Sequence, residues 1–246
     1  MKKLIFRLVV LAVVAIALVY GAILLWTKVI NRPEDELSTD DLSAALVDST
    51  VPADSTAPVS TEGTRDETNT ESNGVTGIWV ATSESTLGYR VKEVLGGVDT
   101  EGVGRTNAVD GSITIDGTVV VEGGFSVEVG SIKSDSSRRD SQFAGRIMDT
   151  GRFPSASFVL TQPIDFGTVP TDGRQITVEA NGDLTLRGST RSVTFPLTAE
   201  YSNGRVGVFG NIPIVFADYG IPNPSNQFVT TGDNGLLEFV LVFERC

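Results

Sequence analysis

The chain has 246 residues, 19 Lys+Arg against 31 Asp+Glu, no histidine and a single cysteine, Cys246, at its last position. A net charge of -12 speaks against nucleic acid as a partner, because that affinity comes largely from Lys and Arg neutralising phosphates. Without histidine the commonest general base and metal ligand are gone, and one cysteine excludes an internal disulfide, a thiolate metal site and a Cys-x-x-Cys redox pair. Cys246 leaves two readings, a cross-link in a homodimer and an inert tail thiol, of which the second is preferred.

Residues 1–7 carry Lys2, Lys3 and Arg7, and 8–26, LVVLAVVAIALVYGAILLW, carry no charge. At 1.5 Å per residue that stretch spans about 29 Å, the hydrocarbon thickness of a bilayer. A cleaved secretory signal would place small residues ahead of its cut, and AILLWTKVINRP after Gly21 offers no such site. The expectation is an uncleaved single-pass anchor in the cell membrane, with Trp26 at the interface, residues 1–7 cytoplasmic and the bulk extracytoplasmic, since the cations lead and acid follows. Residues 27–74, rich in Ser, Thr, Asp, Glu and Pro, read as a disordered acidic linker. A flexible chain of about 40 residues, the length of 33–73, has a root-mean-square span of about 35 Å. Leu37, Leu42, Ala45 and Leu46 hint at a helical turn or two, on which nothing is built.

From Val75 to Cys246 the chain is strand-like. Gly77–Ala81 and Gly88–Lys92 begin it, and Thr106–Ile115 turns at Asp116-Gly117 into Thr118–Val121. Phe125, Val127 and Val129 alternate with polar residues. The longest alternation is Arg174–Tyr201: Ile176, Val178, Ala180, Leu184 and Leu186 share one face, a turn is expected at Gly188-Ser189-Thr190, and Val193, Phe195, Leu197, Ala199 and Tyr201 continue that face. Ser155–Thr161, Arg205–Phe216 and Leu236–Phe243 complete the set. Ser134–Met148 reads instead as a short helix, capped by Ser134 or Asp135, with Phe143 and Ile147 on one face. An all-β chain of about eight strands with one short helix suggests a closed antiparallel barrel with the helix at one mouth; a two-sheet sandwich is the rival.

The inward apolar rows supply the candidate lining: Phe125 and Val127, then Phe158 and Leu160, Leu184 and Leu186, Phe195 and Leu197, Ile212 and Ile214, and Phe239. Each serves equally as core in a filled barrel. Ala180, Gly182, Ala199 and Gly210 among them would leave room, and one elongated cavity of roughly 300 Å³ or more would mark a ligand site. An apolar chain burying about 500 Å² there would gain on the order of 12 kcal/mol before binding entropy. Arg138 and Arg139 are candidates for holding a polar head group, or one of them, with Asp140, pins the helix to the barrel. Asp218 reads as a turn residue before Gly220, and Arg187 and Arg191 as solvated charges. There is no Gly-x-Ser-x-Gly, Walker loop or His-Glu-x-x-His, so no enzyme, cofactor or metal is expected.

Four segments also resemble the YceI family, in that family's order. They are Ser134–Asp140 (SDSSRRD), Arg152–Phe158 (RFPSASF), Gly182–Val193 (GDLTLRGSTRSV) and Phe216–Ile221 (FADYGI). The resemblance implies an extracytoplasmic, lipocalin-like eight-stranded barrel associated with polyisoprenoid binding. A Ser-His pair frequent in the family's first strands is replaced here by Leu87-Gly88-Tyr89-Arg90. The expected function is a membrane-anchored barrel holding an isoprenoid or similar long-chain amphiphile. The alternative is a cell-envelope structural or interaction module with a filled core.

Overall fold

Alternation with period two becomes a closed wall. The computed structural model describes residues 2–25, 33–47, 74–169 and 173–246. In chain order it contains α1 (Lys2–Leu25), α2 (Thr39–Val47), β1 (Gly77–Ala81), β2 (Thr86–Leu95), β3 (Val98–Thr106), β4 (Val109–Asp116), β5 (Val119–Glu128), β6 (Lys133–Ser134), α3 (Ser137–Gln142), β7 (Ser155–Leu160), β8 (Ile164–Asp165), β9 (Gln175–Leu186), β10 (Ser189–Ser202), β11 (Arg205–Val215), β12 (Val229–Thr231) and β13 (Asn234–Arg245). Eight strands run in the order β1-β4-β5-β7-β9-β10-β11-β13, all antiparallel, and Trp79–Ala81 pairing with Arg245–Phe243 closes the ring. Closure leaves no edge in this ring, and it rules out the sandwich. The β2–β3 hairpin continues β1 and β4 past a bend, with β2 taking the Leu236–Val240 half of β13.

The hairpin turns expose one barrel end as a mouth and the other as a far end. Around the mouth lie residues 129–154, the β9–β10 turn and the 216–234 segment; at the far end lie Asp116–Thr118, the Asn203-Gly204 turn and Cys246. The β9–β10 turn is Arg187-Gly188, one residue earlier than expected, with Leu186 paired to Ser189. Both turn residues have positive φ, 49° and 74°, the backbone that lets a two-residue turn follow the twist of its strands. Arg187 is not a free solvated charge: its guanidinium donates to the Gly220 carbonyl at 2.5 Å and lies 5.7 Å from the Phe153 ring centre.

The mouth helix differs in detail from the expected one. It is α-helical over Ser137–Gln142 and widens into a π turn over Phe143–Ile147, and its N-cap is Ser136, whose side chain accepts from the Arg139 amide. Asp140 ties this helix to β6 by accepting from the Ser134 amide at 2.8 Å and the Ser134 hydroxyl at 2.7 Å.

The N-terminal region departs most from its sequence reading. The helix α1 spans Lys2–Leu25, residues 2–7 included, and by length and composition Ile5–Ala22 could cross a membrane. Trp26 and the linker stretch 48–73 lie outside the described residues. Residues 33–47, expected as disordered tether, instead dock on the outer wall. Leu42 and Leu46 are wholly buried, with Leu37, against Val240, Val242 and Phe209. The cause is in β13, whose outward row includes Val240 and Val242, apolar residues that need a cover. Gly207 permits close approach: a Cβ there would stand 2.5 Å from a Leu42 methyl.

Candidate functional site

The barrel interior is neither one cavity nor solid. Phe125 of β5, Phe158 of β7, Phe195 of β10 and Phe239 of β13 meet in a layer, each ring 5.3 to 6.0 Å from its two neighbours. The skipped strands β9 and β11 carry Gly182 and Gly210 at this level. A Cβ on Gly182 would come within 2.2 Å of the Phe158 ring, and one on Gly210 within 2.5 Å of Phe239. Room that the sequence reading gave to a ligand at these two glycines is therefore filled by phenyl rings.

This layer separates two apolar compartments. The upper one, about 120 Å³, opens toward the mouth; the lower one, about 90 Å³, lies toward the far end. A cavity of about 150 Å³ holds one benzene, so each takes roughly one five-carbon unit, and neither reaches the elongated cavity of roughly 300 Å³ that would mark a ligand site. Of the candidate lining, Val127, Leu184, Leu186 and Ile214 face the upper compartment, Phe158, Leu160, Phe195, Leu197 and Phe239 the lower, and Phe125 both. Ile212 is buried but lines neither. Ala180 and Ala199 border the lower compartment.

The upper rim carries an ion pair, while the lower compartment is bordered by Thr118, Thr168 and Glu200. Along β2, Leu87, Tyr89, Val91 and Glu93 all line the upper compartment. Glu93 is the odd member, and period two alone would have pointed it inward. It faces Arg139 of α3 at 3.5 Å, and Arg139 also pairs with Asp135. Burial pushes the Glu93 carboxyl above the usual range, and the Arg139 charge offsets this in part. Tyr89 stacks on Phe143, ring centres 4.6 Å apart, and burial raises its phenol. Arg139 is thus at the rim, whereas Arg138 is exposed and does not border the compartment. Sequence reasoning missed Tyr89, Glu93, Met148, Phe216 and Ile221, and passed over Phe143 and Ile147 as lining although it placed them on one face.

A second polar cluster lies outside the barrel, under residues 33–38. Glu238, fully buried, meets Arg105 at 2.8 Å and Arg90 at 3.3 Å, and Arg90 meets Glu101 at 2.5 Å. Charge pairing of this kind holds structure; Glu238 lines neither interior compartment, and Arg90 and Glu101 border an outer groove that shares Glu93 with the upper one.

The YceI-like domain family matches residues 79–243, from within β1 to within β13. The chain belongs to this family. It is 31% identical to a UPF0312 protein of Vibrio vulnificus over 105 residues, which is 39% of this chain and 51% of that one. It is likewise 31% identical over 112 residues to a UPF0312 protein of Pseudomonas fluorescens, 42% of this chain and 55% of that one. The matches thus span about half the length of these curated relatives. Among solved structures, the barrel is similar to a polyisoprenoid binding domain from Saccharophagus degradans implicated in plant cell wall breakdown (TM-score 0.57, 16% identity, 70% of this chain and 99% of that one). It is similar also to BcnA of Burkholderia cenocepacia (TM-score 0.50, 21% identity, 65% and 96%). At these identities the likeness establishes the YceI-like barrel fold.

Proposed function

We propose that this YceI-like protein is a membrane-anchored, extracytoplasmic lipid carrier. Its upper compartment takes the chain end of an isoprenoid-type amphiphile and its rim holds the polar head. The observation that carries this reading is the upper compartment itself: a space walled by apolar side chains, with one guanidinium–carboxylate pair at its open end. Arg139 offers a forked donor set to a phosphate or carbonyl oxygen, and Glu93 accepts from a hydroxyl or keeps Arg139 aimed. The role is binding without catalysis. The name borne by the Saccharophagus domain supports an isoprenoid over other chains, and the single apolar helix α1 supports the anchor. A guest longer than about one five-carbon unit has to displace Phe125 or the π turn that roofs the compartment.

The filled-core module remains the competing reading, favoured by the phenyl layer at mid-barrel. Native mass spectrometry of the full chain isolated from its own membranes separates the two, together with titration by prenyl phosphates of increasing chain length. Carriage predicts a co-purifying lipid, saturable uptake of the short members, and loss of uptake in Leu184→Trp with the fold retained. No lipid, no uptake and a misfolded Leu184→Trp would establish the filled core.

A further inference from the structure

The docked segment 33–47 has a direction. Its start, Pro33–Glu36, lies beside Lys92, Val94 and Thr230, and the Glu34 carbonyl accepts from Arg90 at 2.9 Å. Its end lies at the β10–β11 turn, where the Leu46 carbonyl accepts from Asn203 at 3.1 Å and Arg205 at 2.5 Å. The first group belongs to the mouth side of the barrel, next to Glu93; the second belongs to the far end.

Only residues 26–32 separate Leu25 from Pro33, and those eight Cα–Cα steps, fully extended, reach at most about 29 Å. The strand β13 has 12 residues. At about 3.3 Å per residue and a tilt near 40°, the two barrel ends stand roughly 30 Å apart. Because Pro33 sits on the mouth side, a bilayer surface at the end of α1 lies nearer the mouth than the far end, which only a fully stretched 26–32 would bring to the lipid. We infer that residues 33–47 are a strap that seats the mouth of the upper compartment on the membrane from which α1 emerges, so that a guest passes between bilayer and barrel without crossing water. This rests on the reading of α1 as an anchor. Undocked, the link would run over 26–73 with a root-mean-square span of about 40 Å, and either end could face the lipid.

The chemistry of the mouth fits a lipid surface. Phe228 is 67% exposed there. Its loop is held by Arg146, which donates to the Pro224 carbonyl at 2.9 Å, and Arg138 and Arg146 are both exposed. The same rim exposes Asp135, Asp218 and Asp233, so it is Phe228, a large apolar side chain standing out from the surface, that suits the head-group layer.

The test uses the full chain in vesicles of phosphatidylethanolamine and phosphatidylglycerol that carry a head-group quencher. A fluorophore is placed at the far end on Cys246, or at the mouth on Phe228→Cys in a Cys246→Ser background. With ends about 30 Å apart, quenching at 228 should exceed that at 246 by about twofold or more. A long Gly-Ser insert between residues 32 and 33 leaves the strap docked and should erase the difference. Flotation with the vesicles and equal quenching at both ends would overturn the strap alone. Failure to float would overturn the anchor and the strap with it.

Discussion

The carboxylate of Glu238 accepts the backbone amide of Leu37 at 3.3 Å, across a sequence separation of 201 residues. Glu238 points out of the barrel, yet it is completely buried, because residues 33–38 lie over it. The same carboxylate holds Arg105, whose guanidinium donates to the Asp35 carbonyl at 2.5 Å. The strap and the wall therefore share one ion network, and Leu42 and Leu46 add an apolar contact beside it.

Glu238→Ala should lower stability by about 3–5 kcal/mol, since it leaves Arg90 and Arg105 covered without their shared anion. Urea denaturation measures the loss. Hydrogen exchange should rise at Leu37–Val47 before it rises in the barrel strands, because the network joins the strap to the wall.

Leu46→Ala should cost about 2–5 kcal/mol and loosen the strap, uncovering Val240 and Val242. The readouts are a lower thermal midpoint, binding of a hydrophobic dye and faster proteolysis ahead of Val75. Prenyl phosphate uptake should stay as it was, because neither interior compartment borders Leu46.

Gly210→Ala places a methyl where the Phe239 and Phe195 rings stand, 2.5 and 3.0 Å away. Overpacking should destabilise by about 1–3 kcal/mol. Phe125→Leu acts in the opposite sense. It thins the layer that both compartments share, and titration should show tighter binding of longer prenyl chains at a modest loss of stability.

Glu93 has its carboxyl raised above the unfolded value by burial, with Arg139 opposing. A raised acid favours its protonated form in the folded state, so the stability tied to it is complete below the unfolded pKa and falls as pH rises through the folded one. Glu93→Gln should therefore be more stable than wild type near neutral pH and lose that advantage as pH drops into the ordinary glutamate range. Chemical denaturation at both pH values checks the sign; a constant difference between the two proteins would refute it.

Much of the wall was readable from alternation. Leu184, Leu186 and Phe195 fall on the inner face by parity, and the two arms of the central hairpin pair as Leu186 with Ser189 through Glu200 with Gln175. Glu93 was equally readable, at the end of the row Leu87, Tyr89 and Val91, and was passed over because charged residues are ordinarily outside. The strap was hidden by composition. Averaged over 27–74 the segment is acidic and polar, and the leucines that dock it find their partners only in β13 and β11. The one local clue was Val240 and Val242 on a face that ought to have been wet.

Sequence alone determined the charge class, the apolar helix and which side chains along each strand face the interior, because those depend on neighbours a few residues apart. Tertiary structure alone decided that Phe125, Phe158, Phe195 and Phe239 lie at one height, that Gly182 and Gly210 make space for rings and not for a guest, and that residues 33–47 belong to the wall. Height within a barrel follows from the register and stagger of all its strands at once, and docking follows from surfaces that exist only after the ring has closed.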